Sequence, residues 1–132
     1  MFELDHIGIA VDDLEKAVMR YCLLLDVDPA TVEIEEIPVE GLRIASLKGK
    51  DARIELMTPT TNTSTIAKFI AKRGCGLHHV CFAADELGKR LTLLADAGFK
   101  LIDEAPRDVR GETIAFVHPS STFGVLTEFR EI

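Results

Sequence analysis

Two histidines and two glutamates in this chain stand at one common offset: His6 lies 73 residues before His79, and Glu55 lies 73 residues before Glu128. Imidazole and carboxylate together are a ligand set for zinc, iron, nickel, cobalt or manganese. A chain that repeats itself and carries one His and one Glu in each copy can therefore assemble a four-ligand metal site from two halves. Four protein ligands on an octahedral ion would leave positions for water or for substrate oxygens.

The offset extends beyond these four residues. Leu4-Asp5-His6-Ile7 aligns with Leu77-His78-His79-Val80, and the register continues without a gap through Ala10/Ala83, Asp12/Asp85, Asp13/Glu86, Leu14/Leu87 and Lys16/Lys89. Around the glutamates, Ile54-Glu55-Leu56 aligns with Thr127-Glu128-Phe129. Such a period is too long for a solenoid repeat and reads as a duplicated module.

Each module reads β-α-β-β-β. Residues 3–11 alternate, with Ile7, Ile9 and Val11 on one face and His6, Gly8 and Ala10 on the other, the pattern of a half-buried strand. Asp12 or Asp13 caps a helix over 13–25, in which Leu14, Ala17, Val18, Tyr21 and Leu25 recur at helical spacing. Strands are expected at 32–37, 41–48 and 52–57. The second copy repeats the order, with a strand over 77–84, a helix over 86–97 closed by Gly98, and strands over 99–103, 112–118 and 124–130. Between the copies, Ser64 caps a short helix through Ile66, Ala67, Phe69 and Ile70.

The fold class expected is α+β: two βαβββ modules forming one curved, cleft-forming mixed sheet with helices outside. A single domain spans residues 1–132, with module 1 at about 1–58, a connector at 59–76 and module 2 at about 77–132. On its strand Glu55 shares a face with Arg53 and Met57, opposite Ile54 and Leu56, and Glu128 lies opposite Thr127 and Phe129. Each candidate ligand thus projects from the face that its helix does not cover. Two carboxylates buried there would repel and would each cost several kcal/mol to desolvate, and a divalent cation is the simplest compensation.

Composition narrows the class. The formal net charge of −7 argues against nucleic acid, which needs clustered Lys and Arg. No long apolar run and no charged-then-apolar leader stands out, so a cytoplasmic location without membrane partners is expected. Cys22, Cys75 and Cys81 are odd in number and lack CxxC spacing, which suits structural thiols in a reducing compartment. His78 falls on the helix side of its strand and is read as structural. His118, before Pro119, has no partner in the first copy and is read as a loop or substrate residue.

The segments DHIGIAV, IELMTP, STIAKFIAKRGCGLHHVCF, LIDEAPR and FVHPSSTFGVLTEF together resemble the methylmalonyl-CoA epimerases, members of the vicinal oxygen chelate superfamily that includes glyoxalase I. The resemblance runs nearly end to end. It implies His6, Glu55, His79 and Glu128 as the ligands of one divalent metal ion per pair of modules, be it cobalt, manganese, zinc, nickel or magnesium. It also implies an isomerase that epimerises methylmalonyl-CoA by removing the C2 proton and passing through a metal-stabilised enolate. Glu128 would then be ligand and proton-transfer group, and His118, Ser120 and Ser121 would meet substrate oxygens. Several bacterial members place a second glutamate at the position of Ile44, which cannot transfer a proton, so either another group serves the opposite face, or one base serves both faces, or the chemistry differs. Of the carboxylates nearby, Glu55 ranks ahead of Glu40, which precedes a turn glycine.

Two other activities fit the same ligand set: a glyoxalase I-type lyase or isomerase acting on a thiohemiacetal, and a non-catalytic ligand-binding protein. Lys68, Lys72 and Arg73 read as a solvated helix face, with CoA phosphates as the other reading. The acyl-CoA substrate and a homodimer are the partners that the resemblance implies.

Overall fold

The computed structural model describes residues 1–132. Asp13 starts the first helix, its carboxylate accepting from the Lys16 N–H at 3.1 Å. The elements in chain order are β1 (Glu3–Ala10), α1 (Leu14–Leu25), β2 (Glu33–Ile37), β3 (Leu42–Lys48), β4 (Arg53–Pro59), α2 (Thr65–Arg73), β5 (Gly76–Ala84), α3 (Leu87–Asp96), β6 (Arg107–Val109), β7 (Glu112–Val117) and β8 (Thr127–Glu131). β1 and β5 begin at Glu3 and Gly76, and α1 and α3 at Leu14 and Leu87, so the offset seen in the sequence is also the offset of the elements. The eight strands hydrogen-bond in the order β2-β3-β4-β1-β5-β8-β7-β6, which reads symmetrically outward from β1 and β5. No helix is long and apolar enough to cross a membrane.

By its contacts the chain divides into Ile7–His78 and a second unit in which Met1–His6 joins His79–Ile132. The division falls inside β1, so His6 belongs with the second copy.

In the unit Ile7–His78, β2, β3 and β4 form an antiparallel run whose register sets Ile44 against Met57 and Ser46 against Glu55. Leu14, Val18 and Cys22 of α1 pack on Val11, Ala45, Leu47 and Leu56. Leu25 has the right angle for that face but stands at the last helical position, and it is left 46% exposed while Cys22 is buried. A second apolar cluster joins Ala10, Ile37, Leu42, Ile44 and Met57 to Ile66 of α2, rimmed by Phe69 and Ile70. α2 begins where the Ser64 hydroxyl accepts from the Ala67 N–H. Gly41 turns into β3 at φ +65, and a Cβ there would lie 2.4 Å from the Thr61 hydroxyl oxygen, so a side chain at this turn would be strained and would have to displace Thr61.

In the second unit β5 and β8 run parallel, with Cys81 against Glu128, and β7 and β8 antiparallel, with Phe116 against Glu128. Leu87 and Leu91 of α3 pack on Ala84 and Ala115, flanked by Leu101 and Phe129. Glu86 precedes α3 without capping it. Its place is taken by Glu131 on β8, whose carboxylate accepts from the Leu87 N–H at 2.8 Å.

The strand expected over 99–103 is not formed; only Leu101 bridges Val117, and the edge strand is Arg107–Val109. The cause is Asp103, whose carboxylate takes the Phe116 N–H and the Arg107 guanidinium. The Ile102 and Asp103 N–H groups share the Phe116 carbonyl, so a side chain replaces the regular ladder.

Leu91 is 1% exposed and Leu93 on the same helix is 63% exposed. Leu91→Ala is expected to lower the unfolding free energy by about 2–5 kcal/mol and Leu93→Ala by less than about 0.5 kcal/mol, as read from urea denaturation midpoints.

Candidate active site

Of the four residues singled out by their common offset, His6, His79 and Glu128 converge. The two imidazole Nε2 atoms are 3.0 Å apart, and each faces the Glu128 Oε1, at 3.3 Å from His6 and 3.1 Å from His79. All three residues are buried. Strand alternation places them: His79 stands two residues before Cys81 on β5, and Cys81 is in register with Glu128 on β8. The His6 and His79 rings meet edge to face at 5.2 Å, and Phe116 closes on His79 at 5.9 Å between centroids.

This triangle can be tested against a metal ion. Nitrogen and oxygen ligands about 2.0–2.2 Å from a divalent ion lie about 2.8–3.1 Å apart at right angles and about 3.3–3.6 Å apart at tetrahedral angles. Two of the observed separations match the right-angled set, and the third falls at the short end of the tetrahedral range. Three Lewis-basic atoms turned toward one another at such distances need a cation or a proton among them, and their chemistry fits a hard or borderline divalent ion.

The atoms behind His6 fix which nitrogen it presents. Its Nδ1–H donates to the Asp5 Oδ2 at 2.7 Å. The other Asp5 oxygen, Oδ1, accepts from the Arg130 Nε at 3.0 Å and from its terminal nitrogen at 2.9 Å. Asp5 is itself buried, and the charge of Arg130 balances it. Asp5, His6 and Cys81 also lie within ligand distance of one another. There the two Asp5 oxygens already serve His6 and Arg130. Neither Asp5 nor Arg130 was marked by the repeat, because neither has a like residue at the common offset; a carboxylate beside a candidate ligand was the available signal.

Glu55 lies in the other unit, buried on β4, with its Oε2 held by the Arg53 guanidinium at 3.0 and 2.9 Å. Ile44, one strand away, is buried in the apolar cluster under α2, and Glu40 sits in the exposed turn before Gly41. His78 meets the Phe69 ring edge to face at 4.9 Å, in keeping with a structural role. His118 opens the turn Pro119–Ser121: its Nδ1 accepts from the Ser120 N–H at 3.0 Å and lies 2.8 Å from the Ser120 hydroxyl. An Nδ1 that accepts an amide N–H leaves the proton of neutral His118 on Nε2. Ser121 accepts from the Lys100 N–H at 2.8 Å and keeps its own hydroxyl hydrogen to donate.

Burial alone would raise the Glu128 carboxyl, but hydrogen bonds from His6 and His79, together with their charge, more than offset it and lower its pKa to about 2. A carboxyl whose pKa is depressed by folding contributes stability that is complete above its unfolded value of about 4.5 and is lost as pH falls through the folded value. Metal-free protein should therefore lose its stability advantage over Glu128→Gln, on the order of 3 kcal/mol at pH 6, as the pH of a urea titration is lowered from about 4.5 to about 2. Parallel curves for the two proteins would show that the histidines do not hold the carboxylate.

Known proteins carry related chains. Residues 5–116 match the Glyoxalase/Bleomycin resistance protein/Dioxygenase superfamily. The chain is 36% identical over 132 residues to the uncharacterized protein YqjC of Bacillus subtilis (strain 168), covering 99% of this chain and 93% of that one. It superposes on the crystal structure of methylmalonyl-CoA epimerase from Mycobacterium tuberculosis with a TM-score of 0.84 at 35% identity, over 98% of this chain and 87% of that one. It also superposes on a methylmalonyl-CoA epimerase in complex with methylmalonyl-CoA and ammonium, with a TM-score of 0.85 at 31% identity, over 99% and 94% of the two chains. Identity and coverage of this extent, on the same fold, place the chain in the methylmalonyl-CoA epimerase family of that superfamily, a family of isomerases.

Proposed function

We propose that this protein interconverts the 2-epimers of methylmalonyl-CoA by removing and returning the C2 proton, and that it does so with a divalent metal ion held by His6, His79 and Glu128. The observation that carries the reading is the convergence of two Nε2 atoms and one carboxylate oxygen within 3.3 Å. Glu55, buried and at the common offset from Glu128, is the fourth ligand in this reading and the second candidate for proton transfer. When bound, the ion supplies Lewis-acid stabilisation of the negative charge that grows on the thioester oxygen.

The chain's own residues do the rest. Glu128 turns Oε1 to the two imidazoles, so its second oxygen is the one assigned to the C2 proton. A carboxylate is ionised at neutral pH and ready to accept, but it is a weak base toward a C–H proton. Rate must then come from making C2 more acidic and from holding it in reach of Glu128. His118, through its Nε2–H, and Ser121, through its hydroxyl, are the donors that this reading assigns to substrate oxygens; Ser120 supports His118. Ile44 lies in an apolar cluster and gives no acid or base, and Glu55 is the group this reading assigns to proton return on the opposite face, the other reading being that Glu128 serves both faces.

Metal-loaded protein in deuterium oxide should place deuterium at C2 of methylmalonyl-CoA, followed by mass spectrometry or NMR. Chelation should abolish the exchange and re-addition of metal restore it, and Glu128→Gln should slow it by about 100-fold or more. Absence of exchange with loaded protein, or turnover of a thiohemiacetal in its place, would overturn the assignment.

A further inference from the structure

We infer that Arg130 and Asp5 are positioning residues for His6: Arg130 anchors the Asp5 carboxylate, and Asp5 holds the His6 ring so that Nε2 is the nitrogen offered to the metal. The inference rests on the metal reading proposed above and extends it to residues that touch neither ion nor substrate.

Asp5 divides its two oxygens between two jobs. Oδ2 takes the His6 Nδ1–H at 2.7 Å, and Oδ1 takes two N–H groups of Arg130 at 3.0 and 2.9 Å. An ionised carboxylate only accepts, so this contact keeps the proton of a neutral His6 on Nδ1 and leaves the Nε2 lone pair directed at His79 and Glu128. Without Asp5 the imidazole can exchange tautomers or turn over, and either change takes the lone pair away from the triangle.

Arg130 stands two residues after Glu128 on β8, on the same face of that strand. One short stretch of β8 therefore supplies a ligand directly and, through Arg130 and Asp5, braces a second ligand on β1. The position matching Asp5 in the second copy is His78, which meets the Phe69 ring edge to face.

A plain ion pair that stabilises the sheet is the competing account. Burying two charges costs several kcal/mol per ion, so such a pair adds little stability over an apolar replacement. What an apolar pair cannot do is fix a tautomer. The two accounts separate in metal affinity.

Zinc or cobalt ion affinity would be measured by competition with a chromogenic chelator on the full chain, alongside thermal midpoints. Asp5→Asn and Arg130→Met are expected to keep one ion per chain and to weaken its binding by about 10–100-fold. Arg130→Lys, which keeps the charge but not the fork, should recover part of that loss, and the visible spectrum of the cobalt form should shift in Asp5→Asn. Glu131→Gln weakens the cap of α3 from the same strand and should lower the thermal midpoint with affinity unchanged. Affinity within twofold of wild type in both Asp5→Asn and Arg130→Met, with only the midpoint lowered, would overturn the positioning role and leave a structural ion pair. If Asp5→Asn fails to fold, the comparison of Arg130→Lys with Arg130→Met decides. Ion binding left unaffected by His79→Ala would overturn the metal reading itself, a result distinct from failure of the relay alone.

Discussion

The constraint on which this structure turns is the mutual approach of three Lewis-basic atoms in a buried place. The His6 and His79 Nε2 atoms and the Glu128 Oε1 lie within 3.3 Å of one another, and no arrangement of lone pairs at that separation is favourable unless positive charge sits among them. The fold must hold them there against that repulsion. It does so with strands whose register leaves little freedom: Cys81 faces Glu128 on one side and Phe116 faces it on the other.

The duplication supplies the parts but not equal environments. Glu55 and Glu128 share a position in the repeat, yet Glu55 is clasped by Arg53, two residues before it, while Glu128 is clasped by two imidazoles. In the second copy the arginine comes two residues after the glutamate and reaches Asp5 instead. A shift of four positions thus moves a guanidinium from one ligand candidate to the support of another.

Apolar packing marks the same asymmetry. α1 covers Leu56 and its neighbours, and α2, which belongs to the connector and has no copy, covers Ile44 and Met57 on the opposite side of the run. Ile44 fits this setting because an ionised side chain beneath Ile66 and Phe69 would be desolvated without a partner. The family relation points to an epimerase, and Ile44, in its apolar surroundings, offers neither acid nor base.

Much of this was legible without coordinates. A fixed offset and two periodicities located β1, α1, β5 and α3 nearly to the residue, because helix caps and strand alternation are local properties of the chain. The same offset marks His6, Glu55, His79 and Glu128, of which His6, His79 and Glu128 come together. The edge strand forms at Arg107–Val109 and not over 99–103 because the Asp103 carboxylate takes the Phe116 N–H by a contact 13 residues away, and no local pattern records that. Tertiary structure alone decided that His6 joins the second unit, that Arg53 belongs to Glu55, and that Arg130 reaches Asp5 across 125 residues of chain. Composition and spacing determine which chemical groups a strand presents. Which groups meet depends on the pairing of strands distant in sequence, and that is set by the burial of the whole core.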